Sequence, residues 1–218
     1  MREGDLRGRR VLEVGAGTGR LAAALAERAL AKVWAVDPSP EMLTVARGRA
    51  PRGVAFKQAR AEALPFRDGW FERAVAMLVV HVLDRPRAFA EARRVLGDGG
   101  RFVIATFDPA HIHSYWLNRY FPSIAKIDLA RFATADVLGD ELRAAGFASV
   151  RTIELRQRKT IDRDRAVERI RGRHISTFDL IDETEFEAGL NRAVEEVPAE
   201  VEYETQWLIL VASCSPGS

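Results

Sequence analysis

The sequence predicts an α/β fold, an open and mainly parallel sheet whose last strand runs in reverse. Short apolar runs alternate with helical patterns from Arg10 to Lys57, as is typical of parallel strands joined by right-handed crossovers. Within this part, three glycines at every second position separate the first strand from the first helix. Near the C-terminus only a hairpin connection separates the last two strands, so the final strand is expected to pair antiparallel with its predecessor.

The first half of the chain has clear start and stop signals. Val11–Val14 is apolar or β-favouring, and Leu21, Leu25 and Ala29 share one helical face. Ser39 suits a helix N-cap, Pro40 the first helical position and Glu41 the positive end of the helix dipole. The predicted elements are strand Arg10–Val14, helix Thr18–Arg28, strand Lys32–Val36 ending in Asp37, a helix from Pro40 closed by Gly48, and strands Gly53–Lys57 and Trp70–Met77, with Gln58–Phe66 as a loop.

The second half is less regular. Asp84 can cap a helix that carries Phe89, Ala92 and Val95 on its apolar face, with Gly97 at its end. An aromatic-rich segment, Asp108–Phe132, is expected to be irregular. The remaining predictions are a turn at Asp98–Gly100, strand Arg101–Phe107, a helix from Thr134 stopped by Gly146, strand Ala148–Leu155, a helical insertion Arg156–Val197, and strand Val201–Ala212.

Composition limits the class of protein. The 218 residues are 47% hydrophobic with a net charge of +2, which suits one large domain and argues against disorder and against a strong polyanion binder. A single cysteine, Cys214, excludes an internal disulfide, and the four scattered histidines give no metal-ligand spacing. No segment resembles a signal peptide or a membrane span of ~20 apolar residues, so a cytoplasmic location is expected.

The glycine turn favours one ligand class over another. A dinucleotide fingerprint has the spacing G-x-G-x-x-G, whereas Gly15, Gly17 and Gly19 place the third glycine one residue early. Glu13, two residues before the first glycine, would repel a pyrophosphate but suits a ligand with an amine and a sulfonium. Asp37 stands 18 residues after Gly19, where it can accept both hydroxyls of a ribose. A glycine turn without any ligand remains the alternative.

Several motifs in order make this chain resemble a class I S-adenosylmethionine-dependent methyltransferase of the small-molecule type. The resemblance covers about residues 10–107 well and 134–155 more weakly. It implies a Rossmann-like, doubly wound sheet of seven strands, with a helical cap from insertions after strands five and six. The motifs are the glycine loop Glu13–Gly19, the acid in Val36–Ser39, the adenine loop Ala61–Phe66, the Phe71–Met77 strand with His81–Leu83 behind it, and the turn Leu96–Arg101.

The resemblance also implies roles for particular residues. Glu13 would act near the methionine ammonium, and Asp37 would hold the ribose hydroxyls. The backbone around Ala61 would read the adenine edge. The implied cofactor-binding residues are Glu13, Gly15, Ala16, Gly17, Gly19, Asp37, Pro38, Met42, Arg60, Ala61, Glu62, Met77 and Leu78.

Two features depart from the family pattern. Arg60 stands where many relatives have an aspartate that accepts from the adenine amino group; a guanidinium can instead stack on the adenine face. Relatives usually have one or two helices before the first strand, but here only the short, polar and loose Met1–Arg9 precedes it. A cap is therefore expected from later insertions, from a partner subunit or from a start upstream of Met1.

Methyl transfer to a hydroxyl or amine can require a general base with a near-neutral pKa. His81, His111 and His113 are the candidates, with His81 placed first; His111 and His113 are expected to share a loop face. A helix-start role for His81 and loop packing for the other two are the alternatives. Substrate-contact candidates are His111, His113, Tyr115, Trp116 and Tyr120, whose aromatic rings can equally be packing of a lid.

The Arg156–Arg173 stretch has eight Arg/Lys against three Asp/Glu. Arg169, Arg171, Arg173 and His174 either recognise an anionic acceptor or form a face that answers the acidic Asp182–Glu196 segment. The run is short and has no stacking aromatics between its arginines, so nucleic-acid binding is not expected.

The sequence therefore predicts a single methyltransferase domain, with its core at about residues 9–108, 132–155 and 201–213 and cap insertions at about 109–131 and 156–200. It would transfer a methyl group to a small organic acceptor, without metal or membrane, as a monomer or homodimer. An NAD(P)-dependent oxidoreductase and a non-catalytic S-adenosylmethionine-binding protein are the alternatives.

Overall fold

The computed structural model describes residues 6–217 and contains a seven-stranded mixed sheet flanked by helices. The strand order is β3-β2-β1-β4-β5-β7-β6. The strands are β1 Arg10–Val14, β2 Lys32–Asp37, β3 Val54–Gln58, β4 Phe71–Met77, β5 Leu96–Phe107, β6 Ser149–Asp162 and β7 Glu200–Ser213.

Strand β1 lies in the middle of the sheet, with β2 on one side and β4 on the other, both parallel to it. β6 and β7 run antiparallel, because the amide of Ala148 donates to the carbonyl of Ser213 and the amide of Arg163 donates to that of Ala199. The predicted fold class, with its antiparallel last strand, is confirmed.

Several helices of the described residues begin where short polar side chains cap them. Ser39 accepts a hydrogen bond from the amide of Met42, with Pro40 in the first turn, and Asp84 accepts one from Arg87. The helices are α1 Arg20–Ala29, α2 Pro40–Arg49, α3 Arg85–Val95, α4 Pro109–His113, α5 Ser123–Arg131, α6 Ala135–Ala144, α7 Arg163–Arg171 and α8 Glu183–Glu196, with short 3-10 helices at Val80–Val82, Trp116–Arg119 and Ser176–Asp179.

Three predictions for the second half were wrong. The segment 108–132 is largely helical, because Asp108 caps α4 through the amide of Ala110 and apolar residues such as Ile124 bury one face of α5. Residues 156–162 continue strand β6 instead of starting a helix, since the hairpin with β7 extends to Arg163. The expected turn at 98–100 is an irregularity inside β5, whose pairing with β4 jumps from Leu96 to Arg101.

The chain divides into two compact units. Unit 1 comprises Met1–Thr106, Ala135–Ile153 and Ile209–Ser218, and unit 2 comprises Phe107–Thr134 and Glu154–Leu208. Unit 1 has an aliphatic core that includes Val11, Leu25 and Val33, and unit 2 has an aromatic core that includes Phe121, Phe178 and Phe186.

The lead-in to β1 is not loose where the structure describes it. Leu6 is buried in the core of unit 1, and the amide of Gly8 donates to the carbonyl of Leu30. The rest of the predicted lead-in, Met1–Asp5, lies outside the described residues. Across residues 6–217, no helix has both the length and the apolar character that crossing a membrane requires.

Candidate functional site

The sheet order reverses between β1 and β4, and ligands of open α/β sheets bind at the carboxyl ends of strands at such a point. Gly15, Gly17 and Gly19 follow β1 there, all with positive φ. A Cβ on Gly15 would lie 2.5 Å from Cγ2 of Val79, and one on Gly19 would lie 2.9 Å from Cβ of Ala46. A Cβ on Gly17 would meet no atom within 4 Å, so the Cα of Gly17 faces open space.

The backbone amides of this turn are already in use. Those of Gly15 and Ala16 both donate to the carbonyl of Val36 at 2.9 Å, and that of Gly17 donates to Oδ2 of Asp37 at 2.8 Å. A phosphate-binding turn instead points such amides at its ligand. The amides of Gly15, Ala16 and Gly17 are therefore not free to bind a pyrophosphate.

Asp37 ends β2 and is only 9% exposed. Its Oδ1 accepts from the amide of Ser39 at 3.0 Å while its Oδ2 accepts from Gly17. Each carboxylate oxygen has a second lone pair, so both retain acceptor capacity. The next residue, Pro38, has its carbonyl held by the side-chain amide of Gln58 at 3.0 Å. The backbone amides of Gly17 and Ser39 thus fix the direction in which the remaining lone pairs of Asp37 point.

Glu13 is an acid in an apolar position, 3% exposed on β1. Burial raises its pKa to about 8; the Ala22 amide opposes this by donating to the carboxylate, and the charge of Asp37 adds to it. Its Oε2 is buried without a hydrogen-bond partner in the described part of the chain. A buried acceptor with unused capacity is a binding-site feature, because leaving such a group unpaired is costly.

Apolar side chains are exposed on helix α2, which follows Asp37 in the chain, and at the end of β4, which pairs with β1. Met42 on α2 is 45% exposed, and Met77 at the end of β4 is 41% exposed. Leu78 follows with φ 52°, a left-handed conformation that non-glycine residues rarely adopt. Its amide donates to the carbonyl of Ala105 at 2.8 Å. These surfaces could be covered by an apolar part of a ligand.

The loop between β3 and β4 contributes Arg60, Ala61 and Glu62. Ala61 is buried, while Arg60 is exposed and lies 3.4 Å from the Glu62 carboxylate. Glu62 also accepts from the amide of Asp84 at 3.1 Å. The amides of Ala61 and Glu62 donate no hydrogen bond to any of residues 6–217. They are therefore available to a ligand.

The three histidines occupy different environments. His81 is half-buried in the 3-10 helix Val80–Val82 that follows β4. His111 and His113 do not share a face, contrary to expectation: they lie on helix α4, where His111 is buried and His113 is exposed. Two residues along a helix turn the side chain by about 200°, which separates them.

His111 packs between the rings of Phe107 and Tyr115, at centroid distances of 4.7 and 5.2 Å. Burial lowers its pKa, although a hydrogen bond to the Glu204 carbonyl opposes this. Its Nδ1 is buried and has no hydrogen-bond partner among the residues that the structure describes. Burial therefore disfavours the protonated form of His111.

The other aromatic candidates belong to the core of unit 2. Tyr120 is buried in that core, and Tyr115 and Trp116 are partly buried against it. The Trp116 ring lies 6.1 Å from that of Tyr120 and 6.5 Å from that of Tyr203. Packing accounts for much of their surface, and Tyr115 and Trp116 keep an exposed part.

The structure groups the candidates by unit. The cofactor-binding candidates and His81 all belong to unit 1, and the five substrate-contact candidates all belong to unit 2. Sequence reasoning missed the Val36 carbonyl that takes two loop amides, and the Val79 side chain packed against Gly15. No pattern could reveal these contacts, since they join positions 20 or more residues apart.

The basic stretch is paired at only some positions. Arg173 pairs with Glu183 at 2.6 Å, and Arg163 donates to the backbone carbonyl of Val194 near the end of α8. Arg169 and Arg171 are exposed and form no ion pair with the described residues. Residues 6–217 contain no group of three or more His, Cys, Asp or Glu that could hold a metal ion.

Comparisons with known proteins agree on one family. A family profile described as a methyltransferase domain matches residues 12–104. A demethylmenaquinone methyltransferase of Thermus thermophilus is 35% identical over 147 residues, which are 62% of this chain and 67% of that protein. An uncharacterised methyltransferase of Mycobacterium tuberculosis is 46% identical over 93 residues, 43% of this chain but only 37% of that relative's length.

The fold has solved counterparts. A crystal structure from Anabaena variabilis, named as a methyltransferase of an antibiotic biosynthesis pathway, superposes with a TM-score of 0.76 at 23% identity. The alignment covers 93% of this chain and 90% of the other.

Proposed function

The chain belongs to the class I S-adenosylmethionine-dependent methyltransferases, and we propose that the carboxyl ends of β1, β2 and β4 bind S-adenosylmethionine for methyl transfer to a small organic acceptor. The observation that carries this proposal is the pair of buried acids. Glu13 has an unpaired oxygen, and Asp37 has two oxygens oriented by the Gly17 and Ser39 amides. When bound, S-adenosylmethionine supplies an electrophilic methyl group on a sulfonium.

Asp37 suits the ribose because its oriented oxygens can accept from two neighbouring hydroxyls. Gly17 has no side chain and faces open space, so a ligand can approach its backbone closely. Pro38 and the exposed Met42 would pack against the adenine, and the amides of Ala61 and Glu62 would face its edge. Gly15, Ala16 and Gly19 then shape the turn, with their amides directed into the protein.

Glu13 suits the ammonium of the methionine part, because a cation is the partner that an unpaired carboxylate oxygen lacks. Met77 and Leu78 would border the methyl group and exclude water from it. Aligning the acceptor with the methyl group in a dry site can contribute several kcal/mol, up to about 7–11 in favourable systems.

A base for the acceptor remains a proposal. His81 follows β4 in unit 1 and is half-buried, so we propose it as the general base where one is required. Contacts of the acceptor with His111, His113, Tyr115, Trp116 and Tyr120 also stay predictions, as do the single-domain organisation, the cytoplasmic location, the monomeric or homodimeric state and the lack of nucleic-acid binding.

The site disfavours the first alternative, an NAD(P)-dependent oxidoreductase, but does not distinguish the second, a non-catalytic S-adenosylmethionine-binding protein, from a methyltransferase. A nicotinamide dinucleotide would bring a pyrophosphate to a turn in which the amides of Gly15, Ala16 and Gly17 are occupied, and near the buried Glu13. A protein that binds S-adenosylmethionine without catalysis uses the same site, so only activity separates it from the methyltransferase.

The test is ligand-dependent stability of the full chain. S-adenosylmethionine or S-adenosylhomocysteine at a hundred times its Kd stabilises by about 2.7 kcal/mol, which raises Tm by about 5–10 °C. NADH is expected to have no effect. Stabilisation by NADH and by neither sulfur compound would contradict the proposal, and binding without turnover across a broad acceptor screen would favour the non-catalytic protein.

Asp37→Ala is expected to weaken S-adenosylmethionine binding at least tenfold by calorimetry, because two ribose hydroxyls lose their acceptor. Asp136→Asn, an exposed acid in the first turn of α6, is the matched control and is expected to leave the affinity unchanged. Equal affinity of Asp37→Ala and the wild type would show that the ribose lies elsewhere.

A further inference from the structure

The loop 59–70 between β3 and β4 contains no helix or strand of its own, yet it is held in one conformation from helix α3. Two neighbouring turns of α3 supply Glu91 and Arg94 to it. A loop without internal secondary structure owes its shape to such outside contacts, because fixing each residue costs conformational entropy. These two side chains hold the loop together with two backbone contacts, the Asp84 amide that donates to Glu62 and the Gly69 amide that donates to the Arg94 carbonyl.

Arg94 makes the larger share of the contacts. Its Nη1 donates to the carbonyl of Phe66 at 2.8 Å and to Asp68 at 2.7 Å, and its Nη2 donates to the carbonyl of Leu64 at 3.0 Å. The same guanidinium pairs with Glu91 at 2.6 and 2.8 Å. These bonds to Glu91 and Asp68 raise the pKa of Arg94, so its guanidinium stays charged.

Glu91, on the same helix as Arg94, also binds the loop. Its Oε2 accepts from the amide of Leu64 at 2.7 Å, so both backbone groups of Leu64 are bound to the Arg94–Glu91 pair. The bond with Arg94 is the largest influence that lowers the pKa of Glu91. The pair, here called the loop clamp (Glu91 and Arg94), thus fixes Leu64 in position and orientation.

The bound part of the loop adjoins the part that has free donors. Leu64 lies two residues after Glu62, and the amides of Ala61 and Glu62 have no partner among residues 6–217. The amide of Ala63 donates to the carbonyl of Arg60 at 3.2 Å, which joins both parts into one turn. The loop clamp therefore holds the residue that follows this turn, and the Asp84 amide holds the side chain of Glu62 within it.

We propose that Arg94, together with Glu91, is a positioning residue that makes the site selective for adenine over deaminated purines. This inference rests on the proposed function, in which the amides of Ala61 and Glu62 face the adenine edge. Adenine presents an acceptor at N1, whereas hypoxanthine presents N1–H and would oppose a fixed amide donor. A rigid loop rejects hypoxanthine, because the mismatched amide stays unpaired. A loose loop can turn the amide away and accept both.

The test compares S-adenosylhomocysteine with S-inosylhomocysteine by calorimetry on the full chain. Wild type is expected to bind the adenine compound at least tenfold more tightly. In Arg94→Lys, the single ammonium group cannot replace a guanidinium that donates to Leu64, Phe66 and Asp68 at the same time. We expect this variant to bind S-adenosylhomocysteine about tenfold more weakly and S-inosylhomocysteine with little change, so the preference for the adenine compound falls about tenfold.

Arg93→Lys is the matched control, since the neighbouring Arg93 also donates to backbone carbonyls, at Gly146 and Leu96, but touches no residue of the loop. It is expected to keep the wild-type preference. Glu91→Gln disturbs the same clamp and is expected to reduce the preference in the same direction. It serves as the second variant where Arg94→Lys does not fold.

The outcomes are distinct. A general loss of stability lowers affinity for both compounds equally and leaves their ratio unchanged, so an unchanged ratio in Arg94→Lys, or in Glu91→Gln if only that variant folds, overturns the inference alone. Wild type that binds both compounds equally also overturns it, while the proposed cofactor site stands. Wild type that binds neither compound overturns the proposed function and this inference with it.

Discussion

Replacing Glu13 by glutamine tests whether the buried acid of β1 is held neutral by its surroundings. Burial raises the Glu13 pKa from 4.5 to about 8, and the nearby Asp37 contributes in the same direction. Glutamine keeps the shape and an oxygen for the Ala22 amide, but it carries no charge at any pH. The variant therefore removes one titration with little other change.

The magnitude follows from the displaced pKa. A native state that binds a proton more tightly than the unfolded chain loses stability as pH rises from 4.5 through 8. Each pKa unit corresponds to about 1.4 kcal/mol, so the ionised carboxylate costs the native state about 3–5 kcal/mol above pH 8. Below pH 4.5 this cost is absent, because Glu13 is protonated in both states.

The assay is urea unfolding from pH 5 to pH 9 for wild type, Glu13→Gln and the control Glu41→Gln. Near pH 5 wild type and Glu13→Gln are expected to differ by less than about 1 kcal/mol, and by pH 9 the variant is expected to be more stable by about 3–5 kcal/mol. Glu41 is exposed and its pKa is lowered by backbone and Ser39 hydrogen bonds, so its replacement gives no such slope in this range.

Ligand binding provides the complementary measurement. A cationic ligand favours the ionised Glu13, so wild-type affinity for S-adenosylmethionine is expected to rise from pH 6 towards pH 8. In Glu13→Gln the affinity is expected to be weaker and independent of pH. A stability difference between wild type and Glu13→Gln that stays constant from pH 5 to pH 9 would refute the reasoning, since it would mean that Glu13 is charged throughout.

The remaining predictions concern packing in each unit, measured by urea unfolding. Gly15→Ala is expected to lower the free energy of unfolding by about 2–4 kcal/mol, because the new Cβ would meet Val79 and the residue has a left-handed φ. Gly17→Ala places its Cβ in open space and is expected to lower it by about 1 kcal/mol. Equal losses in the two variants would exclude the steric explanation. Asp128→Ala is expected to cost about 3 kcal/mol in unit 2, because it leaves Arg131, now bonded to it at 2.6 Å, as a largely buried unpaired charge. Thr177→Val removes a neutral hydroxyl that donates to Asp128 and accepts from Arg131 but leaves the ion pair in place, so it is expected to cost about 1 kcal/mol. An Asp128→Ala cost no greater than this would contradict the ion-pair argument.

Much of unit 1 could be predicted from local signals. Strand β1 and the positive φ of Gly15, Gly17 and Gly19 follow from an apolar run that ends in glycines. The Ser39 cap follows from a hydroxyl before proline, which satisfies a free amide of α2. These signals act over a few residues, so the chain order alone contains them.

Unit 2 was harder to predict, because its order comes from packing between distant segments. Helix α5 is weakly amphipathic, and it is stabilised where Ile124 enters the aromatic core beside Phe121 and Phe178. Strand β6 continues past Leu155 because β7 pairs with it, although its own residues are largely polar and exposed. Periodicity over one segment cannot report a partner that lies 40 or more residues away.

The sequence by itself determined the family, the glycine turn and the acids Glu13 and Asp37, because these depend on residue type and spacing. Only the tertiary structure decided that Glu13 is buried with an unpaired oxygen, that His111 and His113 face apart, and that Arg94 holds the loop with free amides. Burial and hydrogen-bond partners arise from residues brought together across the fold, and the free energy of a charge depends on those neighbours more than on its own position in the chain.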